Sequence, residues 1–129
     1  RLTANNITPK QIQELRDLIL VETKVFDKNN LDEYYAANDA FHLKIAEFSG
    51  NRVLFSYISE LLDRTRMFLI LYDPFYKLEY SPTKEHETIV EAIANHDPEA
   101  ACTALQEHIN SSINGLESAG QLPEDYLSL

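Results

Sequence analysis

Three histidines fall at apolar positions of three separate helical patterns. In the first pattern Leu31, Tyr34, Phe41, Ile45 and Phe48 recur at helical spacing, and His42 lies inside their stripe. Asn38 precedes His42 by one turn on the same face. In the second pattern His86 stands with Ile89, Val90 and Ile93; in the third His108 stands with Ala101, Ala104, Leu105, Ser112 and Leu116. A lone histidine in such a stripe is ordinarily a core residue with one local hydrogen bond. A buried imidazole or amide without a partner costs free energy, and three imidazoles on three helices need either three separate partners or one shared one. Convergence on a single ion satisfies all three, since imidazole nitrogen is a good ligand for Zn, Ni, Co or Mn. The Asn38 carbonyl can add a fourth donor, leaving positions open on an octahedral ion. Spacing therefore leaves two readings. One is a divalent transition-metal site of Asn38, His42, His86 and His108; the other is a metal-free helical interaction domain with three core histidines. A tighter signature such as His-Glu-x-x-His is absent. Asp39 is directed to the edge of the stripe and is read as lying outside the donor set. His96, in the polar junction Asn95-His96-Asp97-Pro98, is read as solvent-exposed.

The same histidines could in principle activate water in a metal-dependent helical hydrolase. That chemistry needs a general base beside the ion. Glu85 and Glu87 flank His86, but both diverge from its face, so the chain is read as a non-enzyme.

The elements that would position these residues are all helical. The chain has three glycines, no Asn-Gly turn and few alternating segments, which argues against sheet. Thr8-Pro9-Lys10-Gln11 is a helix start, with Thr8 as cap, Pro9 in the first turn and Gln11 completing a capping box. Ile12, Leu15, Leu18, Ile19, Glu22 and Phe26 follow at helical spacing, and the helix is expected to stop near Asp27-Lys28-Asn29. Asn30 is expected to cap the next helix, which ends at Ser49-Gly50. Asn51 opens a long helix with a broad apolar face, from Val53 and Leu54 through Tyr57, Ile58, Leu61, Leu62 and Phe68 to Tyr72. That face is wide enough for two neighbours, one of them another subunit. An aromatic connection, Asp73–Tyr80, leads to Ser81-Pro82, which opens the helix of His86; Asp97-Pro98 opens the helix of His108. The expected fold is all-α, an antiparallel bundle of about five to six helices over residues 1–118, followed by an irregular acidic tail at 119–129.

Composition narrows the classes of function. A chain of 129 residues with 44% hydrophobic residues has the makings of one globular domain. No run approaches the ~20 apolar residues of a membrane span, and no signal peptide is visible. The single cysteine, Cys102, excludes an internal disulfide and fits a cytoplasmic location. The net charge of -10 is unevenly spread: from Glu85 onward there are nine acidic residues and no Lys or Arg. Such a chain does not bind nucleic acid by counterion release.

The residues also resemble a known family. Asn38-x-x-Phe41-His42, then Ser49-Gly50-Asn51, then Glu85-His86-x-x-Ile89-x-x-Ala92-Ile93, then Asp97-x-x-x-Ala101 and His108, are similar in order, spacing and type to the FadR-type C-terminal effector domain of GntR-like transcription regulators. The resemblance runs from about Thr8 to Ile113. It implies a helical domain that binds a small organic acid beside a metal, with the metal ligands of the family's metal-binding branch mapping to Asn38, His42, His86 and His108. The family often has Asp where this chain has Asn38; a neutral amide leaves more positive charge at the site and favours an anionic effector. Arg64 and Arg66 match an arginine-rich stretch of the family, and Arg66 is the preferred carboxylate contact. Ser112, one turn past His108, and Tyr35 are further candidates for the effector pocket, with Tyr34, Tyr72 and Tyr76 near them. The resemblance also implies a homodimer, since the parent would read a two-fold operator. Family members carry a winged helix-turn-helix domain upstream and a helix before the Thr8 region. With neither visible and no initiator Met, the chain is read as an excised effector domain whose parent, rather than the chain itself, binds DNA.

Overall fold

The computed structural model describes residues 1–27, 32–72 and 81–118, which form six helices and no strand. They are α1 (Leu2–Asn6), α2 (Pro9–Val25), α3 (Asp32–Phe48), α4 (Arg52–Tyr72), α5 (Thr83–Ala94) and α6 (Pro98–Ser118). The expected Asn30 cap, Leu31, the Asp73–Tyr80 connection with Tyr76, and the tail at 119–129 lie outside the described residues, as do the side chains of Phe68, Tyr72 and Leu116.

Local chemistry sets most of the helix ends. The Thr8 hydroxyl accepts from the Gln11 N–H while the Gln11 side chain accepts from the Thr8 N–H at 2.9 Å, a complete capping box with Pro9 in the first turn. After α3, Gly50 takes a φ of 70°, the left-handed C-cap for which glycine carries no penalty. The Asn51 side-chain Oδ1 then accepts from the Leu54 N–H at 3.0 Å and caps the start of α4. Asp97 accepts from the N–H groups of Glu99 and Ala100 and starts α6. Between α5 and α6 the N–H groups of His96 and Asp97 reach back to the carbonyls of Ile93 and Ala92, so the left-handed residue of this Schellman turn is His96, with a φ of 52°. His96 is exposed, as expected, and its Nδ1–H donates to the Ala4 carbonyl at 2.8 Å.

That bond fastens α1, a helix of five residues too short to show a periodicity in the sequence. Its buried Thr3 donates to the Ile45 carbonyl at 2.8 Å, and α1 packs against α3, α5 and α6. The main core joins Leu15 and Ile19 of α2, Phe41 of α3, Ile89, Val90 and Ile93 of α5, and Ala101 and Ala104 of α6. Phe41 is fully buried, a burial that stabilises the fold by roughly 1.5–3 kcal/mol. Tyr34 and Tyr35 form a second, smaller cluster with Val25 and Phe26.

α4 departs from expectation. Among the described residues it packs on α3 alone. Much of the apolar face expected to be shared by two neighbours is open: Val53 is 66% exposed, Tyr57 64% and Leu61 57%. Among the described side chains of α4, the edge carrying Ile58, Ser59, Leu62 and Arg66 is the part that turns inward.

Candidate metal centre

His42 projects from α3, His86 from α5 and His108 from α6, and the bundle brings their rings together. One ligand atom from each lies within 4.8 Å of the others. The ring centroids of His86 and His108 are 4.5 Å apart, and that of His42 is 5.1 Å from His86 and 5.2 Å from His108. Phe41 stacks on His86 at 4.3 Å and closes the core side of the cluster. The convergence has a simple origin. Each histidine occupies the inward stripe of its helix, and the small Ala101 and Ala104 let α6 approach α5 closely.

Both better-buried rings are held by glutamates. His86 is fully buried, and its Nδ1 lies 2.7 Å from Oε2 of Glu22, which is also fully buried on α2. His108 Nδ1 lies 2.8 Å from Oε2 of the half-buried Glu85. The two Nε2 atoms then face each other at 3.3 Å. His42 makes no hydrogen bond among the described residues.

The donor set fits a divalent transition ion on two counts. The first is charge. Burial, reinforced by the neighbouring histidines, pushes His42 down to about 3, and burial with His108 pushes His86 down to about 3 against the pull of Glu85. Both rings are therefore neutral near pH 7, the state in which imidazole ligates. The second is spacing. Two nitrogens bound at ~2.1 Å to one ion sit about 3.0 Å apart at a right angle and about 3.4 Å apart at the tetrahedral angle. The 3.3 Å between the Nε2 atoms of His86 and His108 falls inside that interval. Burial meanwhile pushes the Glu22 carboxyl up to about 7, opposed by His108 and the Tyr34 hydroxyl. Glu22 Oε1 has no hydrogen bond among the described residues. A cation on the far side of His86 would offset the charge of this carboxylate.

The other candidates take different positions. Asn38, one turn before His42 and half-buried, places its amide nitrogen 3.5 Å from the Asp39 carboxylate. Asp39 lies 3.9 Å from the Arg66 guanidinium, away from the histidine cluster; burial raises its carboxyl while Asn38 and Arg66 oppose the rise. Arg66 also donates to the Asp32 carbonyl at 3.3 Å, so it reaches across to α3. Arg64 pairs with Glu60 within α4 and is solvent-facing. The Ser112 hydroxyl donates to the His108 carbonyl one turn back, and its residue is exposed. Tyr35 is buried against Tyr34, with ring centroids 5.6 Å apart.

The glutamates are the part that stripe spacing did not single out. Glu22 does sit in the apolar stripe of α2, and a carboxylate there is a signal of the same kind as a histidine there. Glu85 diverges from His86, as expected, but that divergence aims it at His108.

Residues 1–111 match the family model described as the FCD domain. The chain is 32% identical over 127 residues to the HTH-type transcriptional repressor NanR of Citrobacter rodentium, across 94% of this chain and 46% of that protein. It is 30% identical over 117 residues to NanR of Enterobacter sp. and to NanR of Escherichia coli K12, covering 86% of this chain and 43% and 42% of those proteins. The chain thus spans less than half the length of these relatives. The match over nearly the whole chain makes it a member of the FCD domain family, the FadR-type effector domain of GntR-like transcription regulators.

Proposed function

We propose that this chain is the ligand-sensing domain of a GntR-like repressor, which binds a small organic acid at a divalent-metal site and passes that state to a DNA-binding domain elsewhere in its parent. The observation that carries the reading is the convergence of three imidazoles from three helices, with ligand atoms within 4.8 Å of one another and the Nε2 atoms of His86 and His108 3.3 Å apart. His42, His86 and His108 would hold the ion, and Asn38 would lend its carbonyl oxygen from one turn above His42. The donor set suits Zn, Ni, Co or Mn. An ion held by neutral ligands keeps its full charge, so its open positions favour a carboxylate. Arg66, which reaches α3 through the Asp32 carbonyl, is the proposed second carboxylate contact, with Tyr35, Ser112 and Arg64 as the remaining candidates. No helix among the described residues is long and apolar enough to cross a membrane; the cytoplasmic location proposed for the parent rests on its proposed role as a repressor.

The site ties α3, α5 and α6 together, so ligand binding acts on their relative packing. A regulator needs a ligand that binds two arrangements unequally. The output is proposed to run through a homodimer formed on α4. Val53, Tyr57 and Leu61 make an exposed row there, flanked by Arg52 and Glu60 two turns apart. A two-fold antiparallel pairing of two such helices sets each arginine near the glutamate of the other copy. Catalysis is not part of the reading. Glu85 is engaged with His108, and Glu87 is exposed, so neither stands as a general base.

The test is metal analysis of purified protein, then thermal-shift titration of the metal-loaded form with mono- and dicarboxylic acids. Uptake of one ion per chain and a carboxylate-dependent rise in Tm without turnover support the reading. No uptake after incubation with zinc or nickel overturns the metal site. Uptake with no response to any carboxylate overturns the effector class.

A further inference from the structure

We propose that Glu22 and Glu85 are the positioning residues of this centre, holding His86 and His108 as Nε2 donors; the role rests on the metal reading above. Each carboxylate lies against an Nδ1, at 2.7 Å and 2.8 Å. An ionised carboxylate only accepts, so in the metal-bound state both Nδ1 atoms carry the hydrogen and both Nε2 atoms present a lone pair. Those lone pairs face each other at 3.3 Å with nothing to donate to either. That contact is repulsive without a cation between them and favourable with one. The two hydrogen bonds therefore choose the donor atom and also fix the rotation of each ring, since a planar imidazole bonded at Nδ1 has Nε2 aimed in the opposite direction.

The two carboxylates are not equivalent. Glu22 and His86 are both fully buried, so α2, which supplies no proposed ligand, is joined to the centre through this bond. Glu85 is 29% exposed and sits on the same helix as His86, so α5 holds one ring as ligand and steadies the other through the adjacent residue. Four side chains from three helices thus form one chain, Glu22–His86–His108–Glu85. His42 stands outside it, held by ring contacts with Phe41, His86 and His108.

The experiment compares wild type with Glu22→Gln, Glu85→Gln and, as a control on the exposed side of α5, Glu87→Gln. Zinc affinity is measured by competition against a chromophoric chelator. Imidazole tautomers are read from 15N-labelled histidine by NMR, with and without zinc. Glu22→Gln is expected to weaken zinc binding 10–100-fold and Glu85→Gln about 10-fold, the range for lost carboxylate–histidine–metal contacts; Glu87→Gln stays at the wild-type value. The zinc-loaded wild type should show Nδ1–H on both rings. A purely structural role would lower Tm without changing zinc affinity or tautomer in the folded protein. Wild-type affinity in a folded Glu22→Gln variant, or Nε2–H on either ring of the zinc-loaded protein, overturns the proposal. If wild type binds neither zinc nor nickel, the metal reading fails by itself. Failure of the positioning role looks different: zinc binds the wild type, and a folded Glu22→Gln variant binds it equally well.

Discussion

Substituting His86 by Ala separates the stability the centre draws from its hydrogen bonds from any stability a metal adds. In metal-free protein three losses follow. The buried Glu22 carboxyl loses its partner at 2.7 Å, which costs about 1–3 kcal/mol for an unsatisfied buried group. The stacking on Phe41 at 4.3 Å is lost, about 0.5–1.5 kcal/mol beyond area burial. A cavity opens where a fully buried ring stood, and by comparison with Phe→Ala changes that costs a further ~2 kcal/mol. These overlap, and the expected total is about 4 kcal/mol, against a typical domain stability of roughly 5–15 kcal/mol. Urea unfolding in EDTA, followed by far-UV circular dichroism, measures it as a fall in midpoint at constant slope. The orphaned carboxyl can be isolated by adding Glu22→Leu to the His86→Ala background. Removing a buried carboxyl that has lost its imidazole partner should recover up to about 1–3 kcal/mol, less what its contact with the Tyr34 hydroxyl contributes. The reasoning is refuted if His86→Ala costs less than about 1 kcal/mol, or if Glu22→Leu destabilises the His86→Ala protein further.

Two other perturbations follow from the same geometry. Zinc at about 100 times its Kd should stabilise wild type by about 2.7 kcal/mol, roughly a 10 °C rise in Tm for a domain of this size, and His108→Ala should abolish that rise in differential scanning fluorimetry. On α4, Tyr57→Arg places like charges at the centre of the proposed pairing; light scattering after gel filtration should report a monomer with the helix content of wild type, whereas an unchanged dimer mass removes α4 from the interface.

The helices were legible wherever their ends carry side-chain chemistry. Thr8 with Gln11, Gly50, Asn51 and Asp97 each mark a boundary that the structure places within a residue or two. Two features escaped for different reasons. α1 is held by tertiary bonds, from Thr3 to Ile45 and from His96 to Ala4, and a five-residue helix has no period to detect. The apolar face of α4 was legible as apolar but not as exposed, because periodicity reports which residues avoid water and says nothing of which surface covers them. At the site, the three histidines were found from their place in the stripes. Glu22 stood in a stripe by the same logic, but its partner could be found only in space, since 64 residues separate it from His86.

Asn38 is where sequence and geometry combine into a test of ligand sensing itself. With Asn at this position, every proposed ligand is neutral, and the negative charge near the centre lies one ring away, on Glu22 and Glu85. Asn38→Asp would move a charge into direct contact with the ion. Metal affinity should rise, because a charged carboxylate attracts a divalent cation more strongly than a neutral amide oxygen does. Carboxylate affinity should fall, because an anion on the same ion would sit ~5 Å from the new charge. At an effective dielectric of ~20 that repulsion is on the order of 3 kcal/mol, and partial exposure of the residue reduces it to ~1–2 kcal/mol, a loss of roughly 5–30-fold. Competition titration gives the zinc affinity, and calorimetry on zinc-loaded protein with citrate and acetate as probes gives the other. Opposite movement of the two affinities is the signature of a residue on the ion. A packing role for Asn38 would change neither, or lower both through a loss of folded protein, and either result would remove Asn38 from the ligand set.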